Sequence, residues 1–296
     1  MKILIIGKHG QVATSLQKIN FDTKFKLIFL SSQELDLSCK DSIVTNIQLI
    51  KPDIIINTGA YTNLDQNEIN TNKAFLINSE SLKTISKVTL KNGIFFIHIS
   101  TDYVFDGTKL TPYNEDDEKK PLSMYAKTKS QGEDYVTKYL QKFVILRTSS
   151  VFSSVGNNFV KTMLRLNKDG NNIKVVYDQI HCPTGANYLA SVIKQICNLY
   201  ISKKNIEWGI YHICNQPGLS WFEFAEKIFE IDNSLSKQKK NINLIKVSLS
   251  EYPSKVIRPA YSILNNQKAI SAFNLKPLSW EEELVKTIKE IRSNEL

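Results

Sequence analysis

Tyr125 and Lys129 stand four residues apart in Tyr125-Ala126-Lys127-Thr128-Lys129. On a helix that spacing puts both side chains on one face, about one turn apart. An ammonium beside a phenol favours the phenolate and lowers the tyrosine pKa from its usual ~10, which makes the phenol a usable general acid near neutral pH. The same spacing recurs at Tyr200 and Lys204, but Tyr200 ends a predicted helix in the second half, where a surface residue is expected. Position decides between the two. Tyr125 opens a helix soon after Ser100-Thr101-Asp102-Tyr103-Val104-Phe105-Asp106-Gly107, a stretch that begins where a predicted strand ends. A hydroxyl there can donate a hydrogen bond to a substrate carbonyl oxygen as charge builds on it. Thr101 and Asp102 can equally cap a turn, and the two readings are compatible.

A second set of residues suits a nucleotide. Gly7-Lys8-His9-Gly10-Gln11-Val12-Ala13 follows the first apolar run and opens a helical one. Gly7 permits the tight turn, Gly10 lets backbone approach a pyrophosphate at the helix N-terminus, and Ala13 keeps helix close to strand. The spacing is a G-x-x-G-x-x-A variant of the dinucleotide fingerprint. A carboxylate at the end of the second strand would grip the ribose 2′-OH of NAD. Here that strand ends Leu30-Ser31-Ser32-Gln33, with neither an acid nor an Arg at that point. Ser31 and Ser32 can donate to a 2′-phosphate, so NADPH is the expected cofactor, with NADH tolerated. Asp36 and Leu37 are placed to flank the adenine, or Leu35 and Leu37 simply anchor the loop in the core.

The elements that must position these residues are legible as an alternation. Continuous apolar runs at Lys2–Gly7, Phe25–Leu30, Asp53–Asn57, Ile94–Ser100 and Phe143–Thr148 read as strands buried on both faces, as in a parallel sheet. Helical patterns at Gln11–Lys18, Lys40–Leu49, Asn72–Lys91 and Met124–Tyr139 separate them. The order predicts an α/β fold with a Rossmann-like doubly wound parallel sheet over residues 1–150. A smaller substrate-binding portion over residues 151–296 is expected to cap the mouth of the sheet, partly interleaved with the first. Its predicted helices are Phe159–Asn167, Ala186–Tyr200, Trp221–Glu230 and Glu281–Arg292, its strands Ile173–Tyr177 and Gly209–Cys214, with a polar loop at Lys237–Asn243. The 296 residues, 42% hydrophobic, suffice for a large core. No apolar run is long enough to span a bilayer, and Ile3-Leu4-Ile5-Ile6 is too short for a signal peptide. Four scattered cysteines without a C-x-x-C pair fit a reducing cytoplasm. The four histidines show no metal-ligand spacing, so no metal is expected. The net charge of +9 reads as a Lys-rich solvated surface rather than a nucleic-acid site, because Lys237-Gln238-Lys239-Lys240 lacks aromatic interleaving.

Taken together, G-x-x-G-x-x-A, then Ser100 to Gly107, then Tyr125-x-x-x-Lys129 resembles the extended short-chain dehydrogenases. Further stretches are similar to the dTDP-4-dehydrorhamnose reductase family: Asn57-Thr58-Gly59-Ala60-Tyr61-Thr62, Gly156 to Met163, Asp178-Gln179 with Cys182-Pro183-Thr184-Gly185, and Arg258-Pro259-Ala260-Tyr261-Ser262. The resemblance runs from Met1 to about Trp280. It implies reduction of the 4-keto group of a nucleotide-activated 6-deoxysugar, dTDP-4-dehydro-β-L-rhamnose first, in synthesis of cell-surface polysaccharide such as lipopolysaccharide O-antigen. It implies that Tyr125 gives a proton to the C4 oxygen, that Lys129 holds the nicotinamide ribose, and that Thr101 polarises the carbonyl with Asp102 beside it. Gly7, Gly10, Gln11 and Val12 would hold the pyrophosphate, and Ala60, Tyr61 and Thr62 would line the cofactor channel. Family members carry a tryptophan after Arg-Thr-Ser on the fifth strand, packed on the sugar; here Ser150 follows Arg147-Thr148-Ser149. That substitution keeps another dTDP- or UDP-sugar open, for a reductase or an epimerase. A non-catalytic NADP-binding regulatory subunit is the alternative of another class. Relatives that bridge subunits through a divalent metal use acids where this chain has Ser15 and Asn187, so that metal site is not expected and a homodimer stays open. No nucleic-acid or membrane partner is expected.

Overall fold

The computed structural model describes residues 1–168, 172–202, 206–236, 243–254 and 256–293. The predicted polar loop at Lys237–Asn243 and its lysine cluster lie almost wholly outside these residues. Six strands form one parallel sheet: β1 Lys2–Ile6, β2 Lys26–Leu30, β3 Ile54–Asn57, β4 Phe95–Thr101, β5 Phe143–Thr148 and β6 Gly209–His212. Their order is β6-β5-β4-β3-β1-β2. The apolar runs alternate cleanly across it. Ile3, Ile5, Ile54, Ile56, Phe95 and Ile97 face one layer of helices, packed with Leu189, Ile193 and Ile196. Leu4, Ile6, Ile55, Phe96 and Ile145 face the other, against Ile43, Ile47, Leu82, Ile85 and Val136. Both faces are therefore dry, which is why these strands carry no polar alternation in their interiors. The expected doubly wound parallel sheet is what forms. β6 and the helix Ala186–Ile201 come from beyond residue 150 but complete this sheet and its helical cover.

Helix α1 spans Gln11–Lys18, α2 Lys40–Ile50, α3 Ser81–Asn92 and α4 Met124–Tyr139. The predicted helix at Asn72–Lys91 is not uniform. An α-helical turn at Thr71–Phe75 passes through a π-helical turn at Leu76–Glu80 before α3 begins. Asn78, inside that turn, accepts from Tyr61 N (2.8 Å) and donates to Tyr61 O (3.0 Å) and Thr128 Oγ1 (3.2 Å). A widened turn is the cost of aiming that amide, and π-turns commonly mark functional regions. α4 passes so close to it that a Cβ on Gly132 would meet Asn78 O at 2.3 Å. A further apolar cluster joins the helices Phe159–Lys168, Trp221–Ser234 and Trp280–Ser293 around Phe152, Phe224 and Leu284. Among the described residues no helix is long and apolar enough to cross a membrane.

Tyr200 is not the surface residue expected. Its ring lies 4.8 Å from Phe95 and it is half-buried, because the end of its helix tucks under Trp208. Lys204 lies outside the described residues.

Candidate active site

The strand order reverses direction between β1 and β3, and doubly wound sheets bind ligands at the carboxyl ends of the strands flanking that switch. A cleft of about 720 Å³ opens there. Its floor is stitched at the strand ends. The N–H groups of Gly7 and Lys8 both donate to Leu30 O at 3.0 Å, and Thr58 Oγ1 donates to Ile6 O at 2.8 Å. Gly7 adopts φ +98°, and a Cβ there would sit 2.9 Å from Gly59 N. Both the left-handed backbone and the close approach demand glycine.

The first half of the cleft surrounds the start of α1. Gly10 is its N-cap and offers no side chain to the helix; no acid occupies the first turn. The leading N–H groups thus lack an intrahelical partner and carry the positive end of the helix dipole. Gln11 contributes differently from expectation. Its side chain donates to Val151 O (3.3 Å) and accepts from Ser153 Oγ and Asn158 Nδ2 (both 2.9 Å), pinning the 151–158 loop over the helix start. Only its backbone is free for a ligand. Ser31 is likewise committed: its N–H donates to Glu34 Oε2 at 2.8 Å, and its hydroxyl also serves that carboxylate. Those two hydrogen bonds hold the exposed Glu34 carboxyl below its ordinary range. An acid near the end of β2 is therefore present, but it is turned onto Ser31 rather than aimed into the cleft. Ser32 stays exposed, and Lys8 and His9 stand on the same rim. Val12, Asp36, Leu37, Ala60 and Thr62 line the cleft. Tyr61 does not; its backbone is held by Asn67 and Asn78, and its ring carries Lys73 at 5.3 Å.

The second half gathers the hydroxyls. Thr101 ends β4 and Tyr125 sits in the first turn of α4, whose N-cap Ser123 accepts from Ala126 N at 3.3 Å. The Thr101 hydroxyl is in hydrogen-bond reach of the Tyr125 phenol, and Tyr103 packs edge-on to Tyr125 at 6.3 Å. Thr101 Oγ1 also donates to Asp102 Oδ1 (3.1 Å), and Ser149 Oγ donates to Asp102 Oδ2 (2.7 Å). Burial pushes the Asp102 carboxyl up to about 6, against the opposing hydrogen bonds of Ser262, Ser149 and Thr101. Burial, with the charge of Asp102, pushes the Tyr125 phenol above its ordinary range.

That direction corrects the expectation that Lys129 lowers the phenol. Lys129 is buried, and its Nζ points down to β4. There it donates to Ile99 O at 2.6 Å and lies 3.0 Å from His98 Nε2. Burial draws the Lys129 ammonium down to about 8, opposed by Glu133 one turn along the helix. His98 and Asn57, which hold Lys129 from below, were missed from sequence. The available signal was a polar residue inside an otherwise apolar buried strand (Phe95-Phe96-Ile97-His98-Ile99) and another at the end of β3. Ser150 lines the cleft at φ +46°, a left-handed conformation unusual for serine. Among the described residues no three His, Cys, Asp or Glu side chains cluster to hold a metal.

The chain matches the model of the RmlD substrate binding domain over residues 1–293. It is 38% identical to a dTDP-4-dehydrorhamnose reductase of Aggregatibacter actinomycetemcomitans, covering 96% of this chain and 97% of that protein. The crystal structure of dTDP-4-dehydrorhamnose reductase from Bacillus anthracis, in complex with NADP, superposes with a TM-score of 0.87 at 33% identity, covering 98% and 99% of the two chains. The crystal structure of a dTDP-4-dehydrorhamnose reductase from Clostridium acetobutylicum superposes with a TM-score of 0.89 at 32% identity, covering 99% of this chain and 100% of that one. A cleft at the switch point of a doubly wound sheet, with a glycine turn at one end and paired hydroxyls at the other, thus accompanies likeness along essentially the whole length, and the chain belongs to the RmlD substrate binding domain family of oxidoreductases, of the dTDP-4-dehydrorhamnose reductase type.

Proposed function

We propose that the protein reduces the 4-keto group of dTDP-4-dehydro-β-L-rhamnose with NADPH, giving dTDP-L-rhamnose. The observation that carries this reading is the continuity of one cleft from the uncapped start of α1 to Thr101, Tyr125 and Lys129. The residues present fit a dinucleotide. An N-terminus without side-chain cap or acid suits a pyrophosphate, and Thr148 Oγ1, buried in the cleft wall, has no partner among the described residues. Gly7, Gly10 and the backbone of Gln11 and Val12 would hold the phosphates, and Asp36, Leu37, Ala60 and Thr62 the remainder. Lys8, His9 and Ser32 on the rim, with the Glu34 carboxylate turned onto Ser31 rather than into the cleft, favour a 2′-phosphate and so NADPH over NADH. When bound, the nicotinamide supplies the hydride.

The chain's own residues supply the proton and the polarisation. The Tyr125 phenol is the general acid for the C4 oxygen, its O–H placed in the first turn of α4 by the Ser123 cap. The Thr101 hydroxyl, whose single proton goes to Asp102 Oδ1 in this arrangement, would turn it to the same oxygen as negative charge builds there. Lys129 engages the nicotinamide ribose and, when charged, favours the phenolate that proton transfer leaves behind. Ser150 stands where the sugar would pack and leaves room that a larger residue would fill. A regulatory subunit that only binds NADP has no use for two hydroxyls converging on one carbonyl. The test is initial-rate oxidation of NADPH with dTDP-4-dehydro-L-rhamnose and, separately, a UDP-linked 4-keto sugar. Faster turnover of the dTDP compound supports the assignment; preference for the UDP compound moves it to another sugar nucleotide.

A further inference from the structure

Beneath Lys129 the hydrogen bonds run in one direction, and the direction has a chemical consequence. The backbone N–H of Gly59 donates to Asn57 Oδ1 at 3.0 Å, and a backbone amide cannot reverse its role. Asn57 is fully buried, and with its oxygen taken its amide nitrogen donates to His98 Nδ1 at 3.3 Å. An imidazole that accepts at Nδ1 carries its proton on Nε2. That N–H faces Lys129 Nζ at 3.0 Å, and Nζ itself donates to Ile99 O at 2.6 Å. An ammonium has three donors and no acceptor. Charged Lys129 would therefore place two donors head to head in a buried site. Flipping the Asn57 amide only moves that clash to Gly59. An amine, by contrast, accepts from His98 and donates to Ile99, and every group in the chain is satisfied.

We propose that Gly59, Asn57 and His98 form a directed hydrogen-bond chain that holds Lys129 Nζ as an uncharged amine in the arrangement seen here, and that cofactor binding, by offering it hydroxyl partners, draws a proton from solvent onto that nitrogen. The proposal rests on the cofactor reading above. His98 and Asn57 are positioning residues, acting through Lys129. The other ionisable groups around Lys129 do not supply the missing acceptor. Glu133, on the same helix, is held by Arg147 of β5 at 2.8 Å and Lys119 at 3.5 Å. Asp102 is occupied by Thr101 and Ser149. Glu68 accepts from Met124 N, and Glu80 is shared by Tyr135 and Lys83. Tyr125 is raised above its ordinary range and stays a neutral phenol. The weakened hold of Lys129 on its proton, drawn down to about 8 by burial, agrees with the chain.

The test is titration calorimetry of NADPH binding at pH 9 in two buffers of different ionisation enthalpy, which counts protons taken up on binding. Roughly one proton per site is expected for the protein as it stands. His98→Gln keeps the direction of the chain, since its amide accepts from Asn57 and donates to Lys129, so uptake should persist. His98→Leu removes the donor and should abolish uptake. NADPH binding without uptake, or equal uptake in His98→Gln and His98→Leu, overturns the proposal and leaves the cofactor reading intact. Absence of NADPH binding to any form overturns the cofactor reading. The chain is then decided by ¹⁵N NMR of the His98 ring in the free protein: an Nε2–H tautomer supports it and an Nδ1–H tautomer overturns it.

Discussion

Asp102 is buried beside the reacting centre, and its carboxyl is pushed from the ordinary 3.8 up to about 6, chiefly by burial. An acid whose pKa is higher folded than unfolded stabilises the fold only while it stays protonated. Its contribution is fully present below the unfolded value and is lost as pH rises through about 6. At ~1.4 kcal/mol per pH unit, holding this carboxylate ionised at pH 7 costs the fold ~3 kcal/mol. Asp102→Asn removes that titration while keeping the shape; Ser149 and Thr101 can rotate their hydroxyls to suit an amide. The variant should therefore gain on the natural protein as pH rises. The gap in unfolding free energy should widen by ~2 kcal/mol between pH 4.5 and 7 and then level off. Urea unfolding of both proteins at half-unit pH steps measures this directly. A gap that stays constant across that range, or narrows, refutes the reasoning, because Asp102 would then titrate as an ordinary surface acid. The same variant should lose activity, since turning the Thr101 hydroxyl to suit an amide changes the orientation set by the carboxylate, the usual exchange of stability for function.

Three further outcomes follow from the geometry. Tyr125→Phe should lower kcat by ~10²- to 10⁴-fold, the ordinary weight of a general acid, with NADPH affinity changed less than about threefold in a fluorescence titration. Ser123→Ala removes the cap of α4 and should cost ~1 kcal/mol, seen as a small fall in Tm together with a fall in kcat, because Tyr125 sits in that first turn. Gly132→Ala places a Cβ on Asn78 O and should cost ~1–3 kcal/mol by overpacking; an unchanged unfolding midpoint would mean that α4 does not press on the π-turn as described.

The sheet was legible because parallel strands buried on both faces leave an unmistakable mark, short unbroken apolar runs at regular intervals. α4 was read with its observed bounds, Met124–Tyr139, because Ser123 caps it and Gly132 does not interrupt its pattern. What escaped was set by long-range contact. Nothing local marks Leu76–Glu80 as a π-turn; the cause is the Asn78 amide reaching Tyr61, seventeen residues away. The commitment of Gln11 to the 151–158 loop depends on a partner some 140 residues distant. Glu34 was passed over because its turn back onto Ser31 is a matter of rotamer rather than of spacing. The Tyr125–Lys129 pairing was read from helical periodicity, which places two side chains on one face but does not say that one of them bends toward the sheet. That bend is set by Ile99 O and His98, on a strand thirty residues earlier.

The central claim is hydride delivery to C4 of a dTDP-linked deoxysugar. Incubating the protein with dTDP-4-dehydro-L-rhamnose and NADPH deuterated at the transferable position, then locating the label by NMR, tests it most directly. The account predicts one deuterium at C4 of dTDP-L-rhamnose, in one configuration. Deuterium at another carbon, or an unlabelled epimer of the starting sugar, would contradict it.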